Sequence, residues 1–105
     1  MKCLVWNVRG FNHPLKQKAV IARIHKLHIN FVCLLETRVK QNKVNGIVKN
    51  RFNGWNMFHN YSEAYNGRIW MLWADGFKVN LLAVSDQSIL CCVEINRNKF
   101  YFSAI

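Results

Sequence analysis

The first 62 residues of this chain are almost without acid: Glu36 is the only carboxylate among them, set against eleven Lys and Arg. No apolar stretch reaches the roughly 20 residues that a membrane-spanning helix needs. The N-terminus lacks the apolar core of a signal peptide, so the expected setting is intracellular, nuclear or cytoplasmic, and not secreted. The four cysteines are Cys3, Cys33, Cys91 and Cys92. No pair of them combines zinc-ligand spacing with a suitable histidine partner. Three lie in apolar strand-like runs, which favours buried free thiols in a reducing compartment. Proline occurs once, at Pro14. No repeat, low-complexity tract or linker-like segment interrupts the chain. At 105 residues it is one domain at most, able to bury roughly 65% of its unfolded surface.

What is present is apolar and cationic. Apolar residues make up 51% of the sequence, which excludes disorder of the charged, core-poor kind. The net charge is +10, with the cations spread along the chain. That balance suits a polyanionic partner, most simply nucleic acid. A solvated basic surface accounts for the same charge equally well.

Lys2 to Val8 reads as a strand, and Gly10 permits a turn after it. Pro14 suits the first position of a helix, with Asn12 or His13 as its cap, and the helix runs to about residue 28. Val20, Ile24 and Leu27 fall at i, i+4 and i+7 and predict its buried face. Ile29 to Glu36 is a second strand. Strand, helix, strand is a βαβ unit with parallel strands. Residues 38–53 predict a basic loop and a short helix interrupted at Gly46. The remainder predicts antiparallel strands at 55–61, 68–73, 77–84, 88–95 and 99–105. Turns are expected at Tyr65-Asn66-Gly67-Arg68, at Asp75-Gly76 and around Ser85-Asp86-Gln87. The fold class is α/β, or α+β by its second part.

The two parallel strands carry the functional signal. Both carboxyl ends lie on one edge of the sheet, where open α/β sheets bind ligands. Asn7 ends the first strand among apolar neighbours. Glu36 closes the apolar run Phe31-Val32-Cys33-Leu34-Leu35. A lone carboxylate at a buried strand end, in cationic sequence, suits a hard cation that leaves positions open for phosphate. Read alone, Glu36 serves equally as a partner of Arg38 or a cap of backbone groups, and Asn7 as a turn residue bonding local backbone.

Trp6-Asn7-Val8-Arg9-Gly10 resembles the opening motif of the endonuclease/exonuclease/phosphatase superfamily, the deoxyribonuclease I-like fold. Leu34-Leu35-Glu36-Thr37-Arg38 looks like its second motif. Gly67-Arg68-Ile69-Trp70-Met71-Leu72-Trp73 and Phe102-Ser103-Ala104-Ile105 look like later segments of one branch, the apurinic-like endonuclease of plant LINE-type retrotransposon polyproteins. The resemblance implies a two-sheet sandwich of which residues 1–105 are the N-terminal part, with the C-terminal half missing. It implies that Glu36 is a metal ligand and that Asn7 orients active-site groups and touches the metal. The implied metal is Mg2+ or Mn2+, the substrate DNA, and the complete domain precedes a reverse transcriptase in a polyprotein. The family's Asp–His pair, Asp-x-Asn motif and phosphate-holding tyrosine have no counterparts here, since Asp75 and Asp86 sit in turns. A truncated, inactive endonuclease fragment is therefore expected. The alternatives are a basic nucleic-acid-binding remnant and a phosphoesterase of the same superfamily with another substrate.

The remaining polar and aromatic residues divide between site and scaffold. Arg9 and Arg38 are placed to reach phosphate from the same edge, or to face solvent. His25 and His28 stand at i, i+3 without an evident third metal ligand. His13 and His59 read as loop and strand-surface residues. Trp6, Trp55, Trp70 and Trp73 suit base stacking, but core packing suits them better. With half a sandwich absent, Phe100, Phe102, Trp70 and Trp73 are expected on or near an uncovered apolar surface, beside an unpaired final strand.

Overall fold

A computed structural model describes residues 1–64 and 68–105; the turn expected at 65–68 falls, but for Arg68, outside them. In chain order the elements are β1 (Cys3–Asn7), α1 (Pro14–Leu27), β2 (Phe31–Leu35), α2 (Gln41–Arg51), β3 (Asn56–His59), β4 (Ile69–Trp73), β5 (Lys78–Val84), β6 (Ile89–Ile95) and β7 (Asn98–Ala104). Four strands form one sheet in the order β1-β2-β4-β3, and three form a second in the order β5-β6-β7. β1 and β2 are parallel, as the βαβ pattern requires, and every other pairing is antiparallel.

The layers follow from alternation along the first sheet. Val32, Leu34, Trp70 and Leu72 share one core cluster with Val20 and Ile24 of α1 and Val44 of α2. Phe31, Cys33, Ile69, Met71 and Trp73 share the other with Ile89, Cys91 and Val93 of β6 and Ala104 of β7. Successive side chains of a strand point to opposite faces, so helices cover one face of the sheet and the second sheet covers the other. This is why β2 is an unbroken apolar run: a strand buried on both faces has no polar positions to alternate.

Pro14 opens α1 as expected, and the side chain of His13 caps it by accepting from the Leu15 N–H at 3.2 Å. The buried face differs from the one the spacing predicts. Gln17, Val20 and Ile24 are buried, whereas Leu27 is 42% exposed. Gln17 is held inside by its own hydrogen bonds: its amide donates to the Phe11 carbonyl at 3.0 Å and accepts from Arg51 Nε at 3.0 Å. Beyond Leu27 the helix ends at His28 in a left-handed conformation (φ 54°). The Ile29 N–H then reaches back to the Ile24 carbonyl at 3.0 Å, and Ile29 takes the apolar position at the helix end.

Three further expectations change. α2 continues through Gly46 without a break; a glycine in a helix interior costs only about 1 kcal/mol relative to alanine, which the packing of Val44 offsets. Trp70 and Trp73 are buried rather than near an open surface, because β4 lies inside the sheet between β2 and β3 with both faces covered. Phe102 stacks on Phe31 with ring centroids 5.4 Å apart. Phe100, on the edge strand β7, is 46% exposed, as expected of that strand. His59 is half-buried rather than a surface residue; burial holds its imidazole below the usual range, and its Nδ1 accepts from the Tyr61 N–H at 3.3 Å.

Cys33, Cys91 and Cys92 are buried free thiols, and Cys3 on the edge strand β1 is exposed. No helix among the described residues is long and apolar enough to cross a membrane. Burial pushes the Cys33 thiol up to about 12 and the Cys91 thiol up to about 11, against an ordinary 9.0. A thiol raised on folding is protonated in the native state at a pH where the unfolded chain has lost that proton. Its contribution is therefore fully present below pH 9.0 and is lost as pH rises through about 11 to 12. Iodoacetamide at neutral pH should label Cys3 alone in the folded chain, as mass spectrometry would show. Urea midpoints should fall steadily above pH 9.

Candidate functional site at the strand ends

Asn7 and Glu36 meet where β1 and β2 end. Asn7 pairs with Leu35 in the parallel register, and Glu36 follows directly. The Val8 N–H donates to the Leu35 carbonyl at 2.9 Å, carrying the ladder one step past the strands. The chain then does something the sequence does not announce. Glu36 and Arg38 both adopt left-handed backbone, φ 52° and 55°, around the buried Thr37. Non-glycine residues in this region cost on the order of 1–3 kcal/mol each and persist where surrounding structure holds them. Here it does. The Phe11 N–H donates to the Thr37 carbonyl at 3.1 Å, and the Thr37 N–H donates to the Arg68 carbonyl at 3.4 Å. The segment is thus pinned both to the β1–α1 loop and to the start of β4.

A cavity of about 190 Å3 opens at this point, lined by Asn7, Glu36, Arg68 and Gln87, with Leu35, Ile69 and Ile105 as its apolar walls. Among the described residues, Glu36 gives it its only side-chain carboxylate. Arg9 Nη2 donates to Glu36 Oε2 at 3.3 Å, the only ion pair among the described residues. Glu36 therefore pairs with Arg9 rather than with Arg38. Both partners are solvent-accessible, so the pair contributes well under 1 kcal/mol to stability. The Arg9 carbonyl accepts from Lys16 Nζ. Gly10, at φ 76°, makes the turn between them in a conformation that other residues rarely take. Arg38 is exposed beyond Thr37 and does not line the cavity.

Two cavity residues, Arg68 and Gln87, escape a reading of the sequence, where one opens a strand and the other sits in a turn. A third residue, Asn60, positions both. It is fully buried. Its Oδ1 accepts from the Arg68 and Ile69 N–H groups at 3.2 and 3.0 Å, and its Nδ2 donates to the Ser85 and Asp86 carbonyls at 3.2 and 3.1 Å. One carboxamide thus joins the start of β4 to the β5–β6 hairpin and ties the two sheets together at the cavity mouth. Beside it, the Tyr61 hydroxyl donates to the Val39 carbonyl at 2.6 Å and accepts from Trp70 Nε1 at 3.1 Å. Burial raises the Tyr61 phenol, while hydrogen bonds from Trp70 and Thr37 pull it back in part.

The donor chemistry fits a small hard cation. Magnesium is held through one or two carboxylates, with water and phosphate oxygens completing its octahedron. Glu36, with a carboxylate, and Asn7, with an amide oxygen, line one cavity, and the cationic side chains beside it suit a phosphate. No cluster of three or more His, Cys, Asp or Glu side chains occurs among the described residues.

This architecture occurs in solved structures. The crystal structure of a D. rerio TDP2 humanized by 14 mutations superposes with a TM-score of 0.66 over 96% of this chain, at 12% sequence identity. The fold is that of a deoxyribonuclease I-like sandwich. The neighbour is of the endonuclease/exonuclease/phosphatase type, and this chain spans 47% of its length. No protein-family model and no curated protein matches the sequence.

Replacing Asn60 with alanine removes four hydrogen bonds and leaves the part-buried Arg68 N–H and the buried Ile69 N–H without their acceptor. Each unsatisfied group costs about 1–3 kcal/mol. Asn60→Ala should lose roughly 2–4 kcal/mol in urea unfolding, and the Arg68 and Ile69 amides should lose hydrogen-exchange protection before those of β6.

Proposed function

We propose that the cavity at the ends of β1 and β2 is the first half of a magnesium-dependent phosphodiesterase site acting on DNA, and that this chain is a fragment of an endonuclease of retrotransposon origin. The observation that carries the reading is the convergence of Asn7 and Glu36, from two separate motifs, on one cavity beside Arg9 and Arg68. The likeness in fold supports the superfamily. The Trp6 to Gly10 and Leu34 to Arg38 segments also support the superfamily, and the Gly67 to Trp73 and Phe102 to Ile105 segments support the plant LINE-type branch, whose complete domain precedes a reverse transcriptase.

In this reading Glu36 and Asn7 hold Mg2+ or Mn2+ by their side-chain oxygens. A cation held there would supply Lewis acidity to polarise the phosphodiester and stabilise the leaving oxygen. The left-handed turn at Glu36 fixes its carboxylate at the cavity rim. Arg9 neutralises that carboxylate in the absence of the cation and lies close enough to contact a phosphate, with Arg38 on the solvent side of the same turn. Neither Asn7 nor Glu36 is free to align and deprotonate a water once it holds the cation. Among the described residues, no second side-chain carboxylate and no histidine lines the cavity. By itself the chain therefore binds but does not cleave.

Mn2+ binding followed by electron paramagnetic resonance should be detectable in the native chain and lost in Glu36→Gln. Supercoiled plasmid should remain intact with magnesium. Magnesium-dependent nicking that disappears in Glu36→Gln would overturn the non-catalytic part of the proposal. Binding to duplex DNA should be weak and nearly indifferent to sequence. Four to six phosphate contacts give a log–log salt slope of roughly −4 to −5, and an affinity unmoved by salt would remove DNA as the partner.

A further inference from the structure

The helical layer carries a charge pattern that the strand-end cavity does not use. α1 exposes Lys16, Lys18, Arg23 and Lys26, and α2 with its cap exposes Lys40, Lys43 and Lys49 and half-buries Arg51. Neither helix contains an acidic residue. Surface helices ordinarily gain from opposite charges at i, i+4 and lose from like ones, so this pattern runs against the stability of the helices that bear it.

Between the C-terminal halves of α1 and α2 lies a cleft of about 310 Å3, with His25, His28 and Arg51 as its polar groups and Phe52 and Trp55 among its apolar ones. A second cleft of about 400 Å3 also borders Phe52 and Trp55, and its polar groups include Asn45, Lys49 and Asn53. Among the described residues, no carboxylate lines either cleft. Each is at the small end of ligand sites, about 300–1,000 Å3. Trp55 is half-buried and braced edge-on by Phe52, ring centroids 5.7 Å apart. Arg51 is oriented through Nε by Gln17, which leaves its terminal nitrogens unengaged among the described residues. The first cleft is also remote from Glu36. Asn56, next to Trp55, is level with Trp73 and Phe31 at the start of β2, while Glu36 follows its end.

An aromatic face flanked by cations, with no competing carboxylate, is the arrangement that binds single-stranded nucleic acid: bases stack on the ring and phosphates meet the cations. A duplex keeps its bases stacked inside and has none to offer a ring recessed between two helices. We propose that the helical layer is a single-strand-binding surface, in which Trp55 stacks a base, Arg51, His25 and His28 hold the phosphate in one cleft, and Lys49 holds the next phosphate in the other. This surface is independent of the cation site at Glu36 and does not rest on it.

The test is fluorescence anisotropy with labelled oligothymidylate and oligouridylate of about twelve nucleotides, and with a duplex of the same length. The native chain should bind a single strand more tightly than the duplex; ribo- and deoxyribo-oligomers separate RNA from DNA as the source of that strand. Trp55→Leu should weaken binding by about tenfold or more. Arg51→Gln should weaken it by about threefold to tenfold and flatten the salt slope by about one unit, whereas Arg97→Gln, an equal loss of charge on the β6–β7 turn, should change it little. As a check that does not depend on a folded Trp55 variant, the Trp55 indole N–H resonance of the native chain should shift on titration. Equal affinity for duplex and single strand, equal effects of Arg51→Gln and Arg97→Gln, or an unmoved Trp55 resonance would each overturn the proposal. Loss of Mn2+ binding in Glu36→Gln is read separately, so either site can fail alone.

Discussion

All five residues of β4 and four of the five in β2 are buried, because helices cover one face of their sheet and a second sheet covers the other. Strands held on both faces have no room to shift register, since a one-residue slip would exchange the contents of two different cores. That rigidity is what the strand-end cavity draws on. β2 delivers Glu36 at its end, β4 delivers Arg68 at its start, and the antiparallel register keeps Leu35 opposite Ile69 so that the two stay adjacent. The left-handed turn at Glu36 hangs from backbone groups on either side, and a strained conformation lasts only where its anchors do not move. Asn60 extends the same fixed frame to the second sheet, which is how Gln87 of a hairpin comes to face a carboxylate on the far side of a core.

The sequence is most informative where the structure is local. Pro14 with His13 before it, the apolar run of β2 and the βαβ order are all set within a few residues, and each appears as read. Glu36 is legible as an oddity, a lone carboxylate in cationic sequence. Its left-handed backbone is not, because that conformation is imposed by hydrogen bonds to residues 11 and 68 and no local preference signals it. Asn60 is hidden for the same reason: its four partners lie in two other segments, at 68–69 and 85–86, which no local pattern around residue 60 announces. Leu27 and Gln17 show where periodicity misleads. A leucine in the last turn of a helix looks like core, yet the chain's exit through His28 turns it outward, while a glutamine with two hydrogen bonds of its own goes inside. Trp70 and Trp73 pack in the core, as the sequence favours, but on no open surface, because β4 inserts between two strands that precede it, a pairing that alternation along one strand cannot announce.

The acid-free helices carry a consequence for the fold itself. Like charges along α1 and α2 repel one another across solvent and favour the expanded chain, and this repulsion is damped over a distance of about 10 Å at 0.1 M salt. Added salt thus tightens the native structure. The same ions displace a phosphate backbone from the same lysines and arginines. Chain and ligand therefore stand on opposite sides of one screening effect: a bound polyanion supplies the counter-charge that salt would otherwise provide, so occupying the helical layer and stabilising the helices are one physical event.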